Sequence, residues 1–267
     1  DPELVGRKWQ VHRDPAPTEA VLRSAARGDP AEIVQTLRPA TPYYGRLMQS
    51  LARLREIEQA GGWQALPMDI AIQDILDARG RIASSVRLTP LERSHWLSER
   101  AGHDVYLKLE CWQRTRSFKV RGAFNAIASL SPGARAQGLV TASAGNHGQA
   151  VALAARETGA HATIFLPNNA PEMKKNRIRA FGAMLRDDEA TYDDAEVAAR
   201  RFAADEGATF VHAFSDPAVV AGQGTVGLEI LDEMPAVRDI IVPVGGGGLI
   251  AGIGVAVKGS NASARNG

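Results

Sequence analysis

The 267-residue sequence has 31 Lys and Arg against 30 Asp and Glu, and the length suggests about two domains. The formal net charge of +1 gives no reason to expect a nucleic acid or a membrane surface as a partner. The single cysteine, Cys111, excludes an internal disulfide and a cysteine-rich metal site, and we find no run of about twenty apolar residues that could span a membrane.

The first part of the chain, residues 1–67, has the pattern of a helical segment without a catalytic cluster. Leucine and isoleucine recur three or four residues apart between residues 43 and 60, as on one face of a helix. The patterns LRP at residues 37–39 and GGWQALP at residues 61–67 are similar to the helical scaffold region of bacterial L,D-transpeptidases. Such enzymes use a cysteine in a separate domain, and Cys111 lies in an unrelated context, so this resemblance implies no activity.

From Met68 onward, short apolar runs alternate with helical stretches. Helical patterns occupy residues 172–181, 192–206 and 223–233, among others. Short apolar strands between helices predict an α/β fold with a parallel sheet covered by helices on both faces. The strand-like runs are residues 105–109, 139–142, 162–166, 209–212 and 240–244.

Lys119 opens a predicted helix within the motif SFKVRG at residues 117–122. Ser117 stands in reach as the cap of this helix. The positive end of the helix dipole, the nearby Arg114 and Arg121 and partial burial all disfavour the ammonium form, so we expect a lowered pKa for Lys119. A neutral amine attacks carbonyl carbon and forms a Schiff base. The alternative is a surface lysine on a basic helix start.

The loop SAGNHGQ at residues 143–149 joins a predicted strand to a predicted helix. Ligands of open parallel sheets bind at this edge, and backbone N–H groups at a helix start favour an anion. A substrate carboxylate suits the loop, and the amide of Asn146 could hold a phenolate or carbonyl oxygen. The alternative is a tight turn that needs glycine. No second metal ligand stands at suitable spacing from His147, so we expect this residue to hydrogen-bond.

Four consecutive glycines at residues 245–248 follow the last predicted strand and open a helix at Leu249. A purely structural turn rarely uses four glycines, whereas a glycine-rich helix start places several N–H donors around a phosphate. The run lacks the lysine and hydroxyl of a P-loop and the acidic residue of the dinucleotide pattern. Pyridoxal phosphate offers both a phosphate for this loop and an aldehyde for Lys119. Phe118 could lie along the cofactor ring, with core packing as the alternative.

Several motifs occur in order along residues 68–258 and together resemble the threonine/serine dehydratases of the tryptophan-synthase-β fold type of pyridoxal-phosphate enzymes. They are TPL at 89–91, LKLE at 107–110, SFKVRGA at 117–123, SAGNH at 143–147, AGQGT at 221–225 and GGGGL at 245–249. The resemblance implies that Lys119 binds the cofactor and later transfers protons. It implies further cofactor contacts from Phe118, Asn146, Gly245, Gly246, Gly247, Gly248 and Leu249, and substrate contacts from Ser143, Gly145, Asn146 and His147.

The implied reaction is the dehydration and deamination of L-threonine or L-serine to a 2-oxo acid and ammonia. Serine racemases share most of the motifs but carry a second catalytic hydroxyl at the position of Ala144, so the alanine favours elimination. A serine racemase, a β-replacement synthase of the same fold, and a non-catalytic fragment or scaffold are the alternatives. The resemblance also implies a cytoplasmic homo-oligomer, a dimer or tetramer, in amino-acid metabolism such as isoleucine biosynthesis. We find no metal site in the sequence, including the divalent-cation site of relatives.

Two features depart from the family pattern. Arg116 stands where the family often has glycine, directly before Ser117. The resemblance fades at residues 259–267, which are polar and have the pattern of a loose end. We therefore predict a helical segment at residues 1–67 and a dehydratase-like domain at residues 68–267 that is incomplete at its C-terminus.

Overall fold

The computed structural model describes residues 70–265, with side chains as far as residue 260. The chain divides into two units, Asp1–Pro67 and Met68–Gly267, and the described residues belong to the second. The helix predicted between residues 43 and 60 therefore lies outside the described residues.

The described chain alternates helices with short strands. In order, the elements are α1 (Ile72–Ile82), β1 (Leu91–Arg93), α2 (His95–Ala101), β2 (Tyr106–Lys108), a 3₁₀ turn (Glu110–Trp112), α3 (Lys119–Ser129), α4 (Pro132–Ala136), β3 (Leu139–Ala142), α5 (Asn146–Thr158), β4 (Ala162–Pro167), α6 (Glu172–Arg179), β5 (Met184–Glu189), α7 (Tyr192–Glu206), β6 (Thr209–Phe210), α8 (Pro217–Glu233) and α9 (Gly248–Arg265).

Four strands form a parallel sheet in the order β5-β4-β3-β6. Leu139 of β3 pairs with Ala162 of β4 on one side and with Thr209 of β6 on the other. Every residue of β3 is buried. In β4, Ile164 packs in the apolar cluster that includes α5, whereas Phe165 packs against the alanines of α7 on the opposite face. The prediction of a parallel sheet covered by helices on both faces is confirmed.

Helices α3, α8 and α9 pack at backbone distance. A Cβ at Gly222 of α8 would lie 2.6 Å from the backbone oxygen of Arg121 in α3, and a Cβ at Gly252 of α9 would lie 2.5 Å from that of Val220. Only glycine permits such close approaches. The start of α3 is thereby fixed against α8.

Strand β2 pairs with β1 in a separate antiparallel sheet, with Leu91 opposite Lys108. The strand predicted at residues 105–109 is therefore present, but it does not join the parallel sheet. Among the described helices, none combines the length and the apolar character that a membrane crossing needs.

Two predictions near the end of the chain are wrong. Residues 240–244 pair with no strand within residues 70–265, and Ile241 is 96% exposed. An apolar run becomes a strand only where a neighbour satisfies its backbone N–H and C=O groups. The predicted loose end at residues 259–267 is helical as far as Arg265.

Candidate active site

Lys119 is the first residue of α3 and lies partly buried. Its Nζ donates a hydrogen bond of 2.7 Å to the backbone oxygen of Ala213. Burial lowers the pKa of Lys119 below its ordinary value, because the ammonium form loses hydration. The ring of Phe118 lies beside the amine, with 5.4 Å between Nζ and the ring centroid. The amine is therefore held against the protein at a defined point.

The basic neighbours of Lys119 do not act on its pKa as the sequence predicts. Arg121 is fully buried, and its guanidinium pairs with Glu110 at 2.8 Å and with Glu229 at 2.6 Å. Arg114 is likewise paired with a glutamate. Because these cations are neutralised by carboxylates, the burial of the amine is the cause of the lowered pKa.

The predicted cap of α3 is wrong. Phe118 holds the N-cap position and makes no side-chain capping hydrogen bond. The hydroxyl oxygens of Ser117 and Thr115 are buried without a hydrogen-bond partner among the described residues. Arg116 between them has a φ of 61°, a conformation that favours glycine. Backbone strain and unpaired buried polar atoms are features of ligand sites, and here both directly precede Lys119.

The loop between β3 and α5 contains the predicted carboxylate site. Ser143 is buried, and its Oγ accepts a hydrogen bond of 3.2 Å from the Gly145 N–H. Asn146 is the first residue of α5, with an exposed side chain. Its amide makes no hydrogen bond to any described residue. The loop therefore presents a helix start and a free amide, a combination suited to an anion.

His147 is buried near the start of α5, and its ring is neutral. Its Nε2 lies 3.1 Å from the Val211 backbone oxygen. Because a carbonyl oxygen only accepts, Nε2 carries the proton, and Nδ1 has the lone pair. Burial lowers the pKa of His147 to about 4, with smaller effects from Lys119 and His212. Nδ1 is buried without a partner in the described part of the chain, so the ring presents an unused acceptor.

The predicted phosphate loop opens α9, whose first residue is Gly248. Gly247 has a φ of 86°, which favours glycine. A Cβ at Gly246 would lie 2.3 Å from the Phe214 ring, and one at Gly248 would lie 2.9 Å from the Phe214 backbone oxygen. A Cβ at Gly245 would meet nothing within 4 Å. Close contacts or a positive φ thus require glycine at positions 246, 247 and 248, whereas Gly245 borders open space.

Leu249 and Phe118, both predicted as cofactor contacts, pack against one apolar cluster. Its buried members are Val226, Ile230 and Ile253 of α8 and α9. The residue before Lys119 and the residue after the glycine loop therefore rest on the same core.

One segment, residues 211–215, contacts all three motifs, and its part in the site was not predicted from the sequence. Val211 accepts the hydrogen bond of His147, Ala213 accepts that of Lys119, and Phe214 packs on the glycine loop. The segment follows the carboxyl end of β6, which lies beside β3 in the sheet. Ligands of parallel sheets bind at this edge, so its place at the end of the strand predicted over residues 209–212 was a usable signal.

These residues fit pyridoxal phosphate. An amine of lowered pKa suits its aldehyde, and the open space at Gly245, near the helix start, suits its phosphate. The unpaired Nδ1 of His147 and hydroxyl of Ser117 leave polar groups for a ligand. Within residues 70–265, no group of three or more His, Cys, Asp or Glu side chains could hold a metal ion.

Residues 82–265 match the family of proteins described as pyridoxal-phosphate dependent enzymes. The chain belongs to this family. It is 49% identical over 192 residues to the L-threonine ammonia-lyase of Thermotoga maritima, covering 72% of this chain and 48% of that protein. The structure of maize serine racemase aligns with a TM-score of 0.70 and 38% identity, over 73% of this chain and 59% of that one.

A threonine deaminase structure is similar as well. The processed form of isoform 2 from Solanum lycopersicum aligns with a TM-score of 0.68 and 38% identity, over 70% of this chain and 52% of that one. These relatives confirm the predicted tryptophan-synthase-β fold type and the class of cofactor.

The comparisons also correct the extent of the resemblance. The family match continues to residue 265, past the predicted limit at residue 258. The comparisons give no support to the L,D-transpeptidase resemblance of residues 1–67, which lie outside the described residues. The chain spans about half the length of the curated relatives that it matches.

Proposed function

We propose that this chain supplies the cofactor-binding and proton-transfer residues of a threonine/serine ammonia-lyase. The reaction would dehydrate and deaminate L-threonine or L-serine to a 2-oxo acid and ammonia. The setting of Lys119 carries the proposal: its amine is partly buried, has a lowered pKa and is held 2.7 Å from the Ala213 oxygen. The names of the Thermotoga and tomato relatives, L-threonine ammonia-lyase and threonine deaminase, support the choice of reaction.

Lys119 has two tasks in this proposal. Its Nζ would be the attachment point for the aldehyde of pyridoxal phosphate, and the same amine would take the proton from the substrate Cα. When bound, the cofactor supplies an electron sink that stabilises negative charge at that carbon. Gly245 to Leu249 at the start of α9 would hold the phosphate, and Phe118 would lie against the cofactor ring.

The loop after β3 orients the substrate. Ser143, Gly145 and the backbone N–H of His147 would hold the substrate carboxylate at the start of α5, and Asn146 would contact both this carboxylate and the cofactor's ring oxygen. The unpaired Nδ1 of neutral His147 carries only a lone pair, so the ring can neither donate a hydrogen bond to the carboxylate nor offer it a positive charge. Backbone N–H groups of the helix start therefore provide most of the attraction for the anion.

Ala144 favours elimination over racemisation. Its methyl group cannot donate a proton to the face of Cα opposite Lys119, whereas a racemase needs a donor there. The likeness to maize serine racemase keeps racemisation as the second candidate.

The remaining predictions belong to the same proposal. The partner is an amino-acid substrate, with neither a nucleic acid nor a membrane, and the assembly is a cytoplasmic homo-oligomer, a dimer or tetramer. We place the reaction in amino-acid metabolism; its use in isoleucine biosynthesis stays a prediction.

Absorbance spectra with added pyridoxal phosphate test the cofactor site, and detection of 2-oxo acid from L-threonine and L-serine tests the reaction. We expect Lys119→Ala to abolish the protein-bound cofactor band and to lower turnover by about 100-fold or more, because one residue supplies both the attachment point and the base. Lys174→Ala, which removes an exposed lysine of α6, serves as the matched control.

Three outcomes would contradict the proposal. They are a cofactor band that survives Lys119→Ala, D-serine as the main product from L-serine, and turnover that requires a thiol acceptor, which would indicate a β-replacement synthase.

A further inference from the structure

His212 is the second residue of the segment at residues 211–215, which contacts all three motifs. Its Nδ1 accepts hydrogen bonds from the backbone N–H groups of Phe214, at 3.2 Å, and Ser215, at 2.9 Å. Because an N–H group only donates, Nδ1 has a lone pair, and the proton of the neutral ring is on Nε2. The ring also meets Phe214 edge-on, with 4.5 Å between centroids and an interplanar angle of 85°. One side chain thus closes the turn and supports its aromatic residue.

The turn closed by His212 makes two contacts of functional interest. The Ala213 oxygen receives the hydrogen bond of Lys119. The Phe214 ring and backbone lie so close to Gly246 and Gly248 that neither position tolerates a Cβ. A change in the turn therefore moves both the lysine acceptor and the wall of the glycine loop.

We propose that His212 is a positioning residue, whose neutral ring holds the Ala213–Phe214 turn so that Lys119 and the glycine loop match a phosphorylated aldehyde. This inference rests on the proposed function and adds a residue that the predicted motifs do not contain. His212 touches neither the cofactor nor the substrate in this proposal; it acts through the turn.

Protonation of His212 at Nδ1 would disrupt the Ala213–Phe214 turn. A proton on Nδ1 would face two N–H groups that already point at it, so the turn would have to open. Charged and titratable groups face His212 from several elements: Glu196 and Arg200 from α7, Asp216 from the start of α8, Lys119 from α3 and His147 from α5.

The charges around His212 set the direction of the pH effect. Burial lowers the pKa of His212, Arg200 and Lys119 add to that effect, and Glu196 and Asp216 oppose it. The ring is therefore neutral at about pH 8 and takes up a proton only in acid. Cofactor affinity should fall as the pH drops through the pKa of His212.

The affinities of pyridoxal phosphate and of pyridoxal, measured by absorbance titration of the full 267-residue chain, test this proposal. The ratio of the two affinities reports the phosphate loop, whereas general damage to the fold lowers both together. His212→Phe keeps the ring volume but loses the acceptor. We expect it to weaken pyridoxal phosphate binding by about 10-fold, because the loss of one buried hydrogen bond lowers an affinity by roughly tenfold. Pyridoxal binding should change by less than about threefold.

His212→Asn provides the rescue. Its side-chain oxygen takes the place of Nδ1 as an acceptor and does not titrate. We expect this variant to keep the wild-type ratio at about pH 8 and to keep it throughout an acid titration in which the wild type loses it. His161→Phe and His161→Asn, at an exposed histidine before β4, are the matched controls.

The outcomes separate two kinds of failure. A wild type that shows no preference for pyridoxal phosphate over pyridoxal would overturn the proposed function itself. A wild type with that preference, accompanied by a His212→Phe variant with the same ratio, would overturn the role of His212 alone. If His212→Phe does not fold, the pH comparison decides: a His212→Asn variant that loses affinity in acid as the wild type does would also overturn it.

Discussion

The two sides of the start of α3 are built in opposite ways. On one side, the buried guanidinium of Arg121 donates to Glu110, Glu229 and the Thr225 hydroxyl. Lys108 adds a second cation, with 3.0 Å between its Nζ and Glu229. Every donor in this cluster points at an acceptor within the protein. The cluster is complete without a ligand.

The other side of the helix start, which faces the loops, leaves polar groups unpaired. Within the described residues, the hydroxyls of Thr115 and Ser117 and the Nδ1 of His147 are buried without partners, and the Asn146 amide is free. Gln223 has a further unpaired atom, its Nε2, at the contact of α3 with α8, where its Oε1 accepts from the Gly122 N–H.

The two sides differ in whether their buried polar atoms have hydrogen-bond partners within the protein. Buried polar atoms are normally hydrogen-bonded, because an unpaired one loses its hydration without compensation. The paired cluster behind Lys119 therefore needs no ligand to complete its hydrogen bonds, and the unpaired atoms in front of it are the ones that a ligand could pair.

Arg121→Met gives the largest expected effect. The substitution leaves two glutamates without their main partner in a buried site, so we expect the free energy of unfolding to fall by about 3–5 kcal/mol. Urea unfolding followed by circular dichroism measures this change. Arg79→Met is the control: its ion pair with Asp232 is largely exposed, at 46% and 65%, so the loss there should stay below about 1 kcal/mol. Equal losses for the two variants would show that the cluster is not a structural unit.

His147 gives the next effect, on the side of the loops. Its folded pKa of about 4 lies below the ordinary value of 6.5, so the unfolded state binds more protons between these values. Stability is therefore fully present above about pH 6.5 and is lost as the pH falls toward about 4. The full contribution is about 3 kcal/mol. His147→Gln keeps a donor for Val211 but does not titrate, so the acid-dependent part of this loss should disappear.

Urea unfolding between about pH 7 and pH 4 measures the slope for the wild type and the variant. His161→Gln, at an exposed histidine, controls for the removal of a histidine as such. An unchanged slope in His147→Gln would mean that the ring is not held neutral by burial.

The sequence predicted three of the four strands of the parallel sheet because their signal is local, whereas the charged strand β5, Met184–Glu189, was not predicted. The runs at residues 139–142 and 162–166 are apolar apart from one threonine each, and such runs form strands buried on both faces. The run at residues 240–244 is also apolar, but it contains Pro243, which has no N–H to donate, and it has no partner strand within residues 70–265. Composition predicts that a segment suits a sheet, and only tertiary structure decides whether it joins one.

The sequence predicted the three motifs of the candidate site but not the segment, residues 211–215, that contacts all of them. Lys119, the loop at residues 143–147 and the glycine run stand out by residue type and spacing. Residues 211–215 contribute backbone oxygens and a phenylalanine, which no motif marks. The pairing of Arg121 with Glu110 and Glu229 joins residues far apart in the chain, so its neutral charge could not be deduced from neighbouring residues.

The smallest expected effects distinguish two glycines of the loop at residues 245–248. A Cβ at Gly246 would lie 2.3 Å from the Phe214 ring, so Gly246→Ala must displace that ring and should lower the free energy of unfolding by about 1–3 kcal/mol. Gly245→Ala meets no atom within 4 Å and should be neutral or slightly stabilising. Thermal unfolding measures both changes, and pyridoxal phosphate titration adds a second readout. A Gly245→Ala variant of unchanged stability but weaker cofactor affinity would assign this glycine to the ligand and Gly246 to the fold; equal destabilisation by both would remove that distinction.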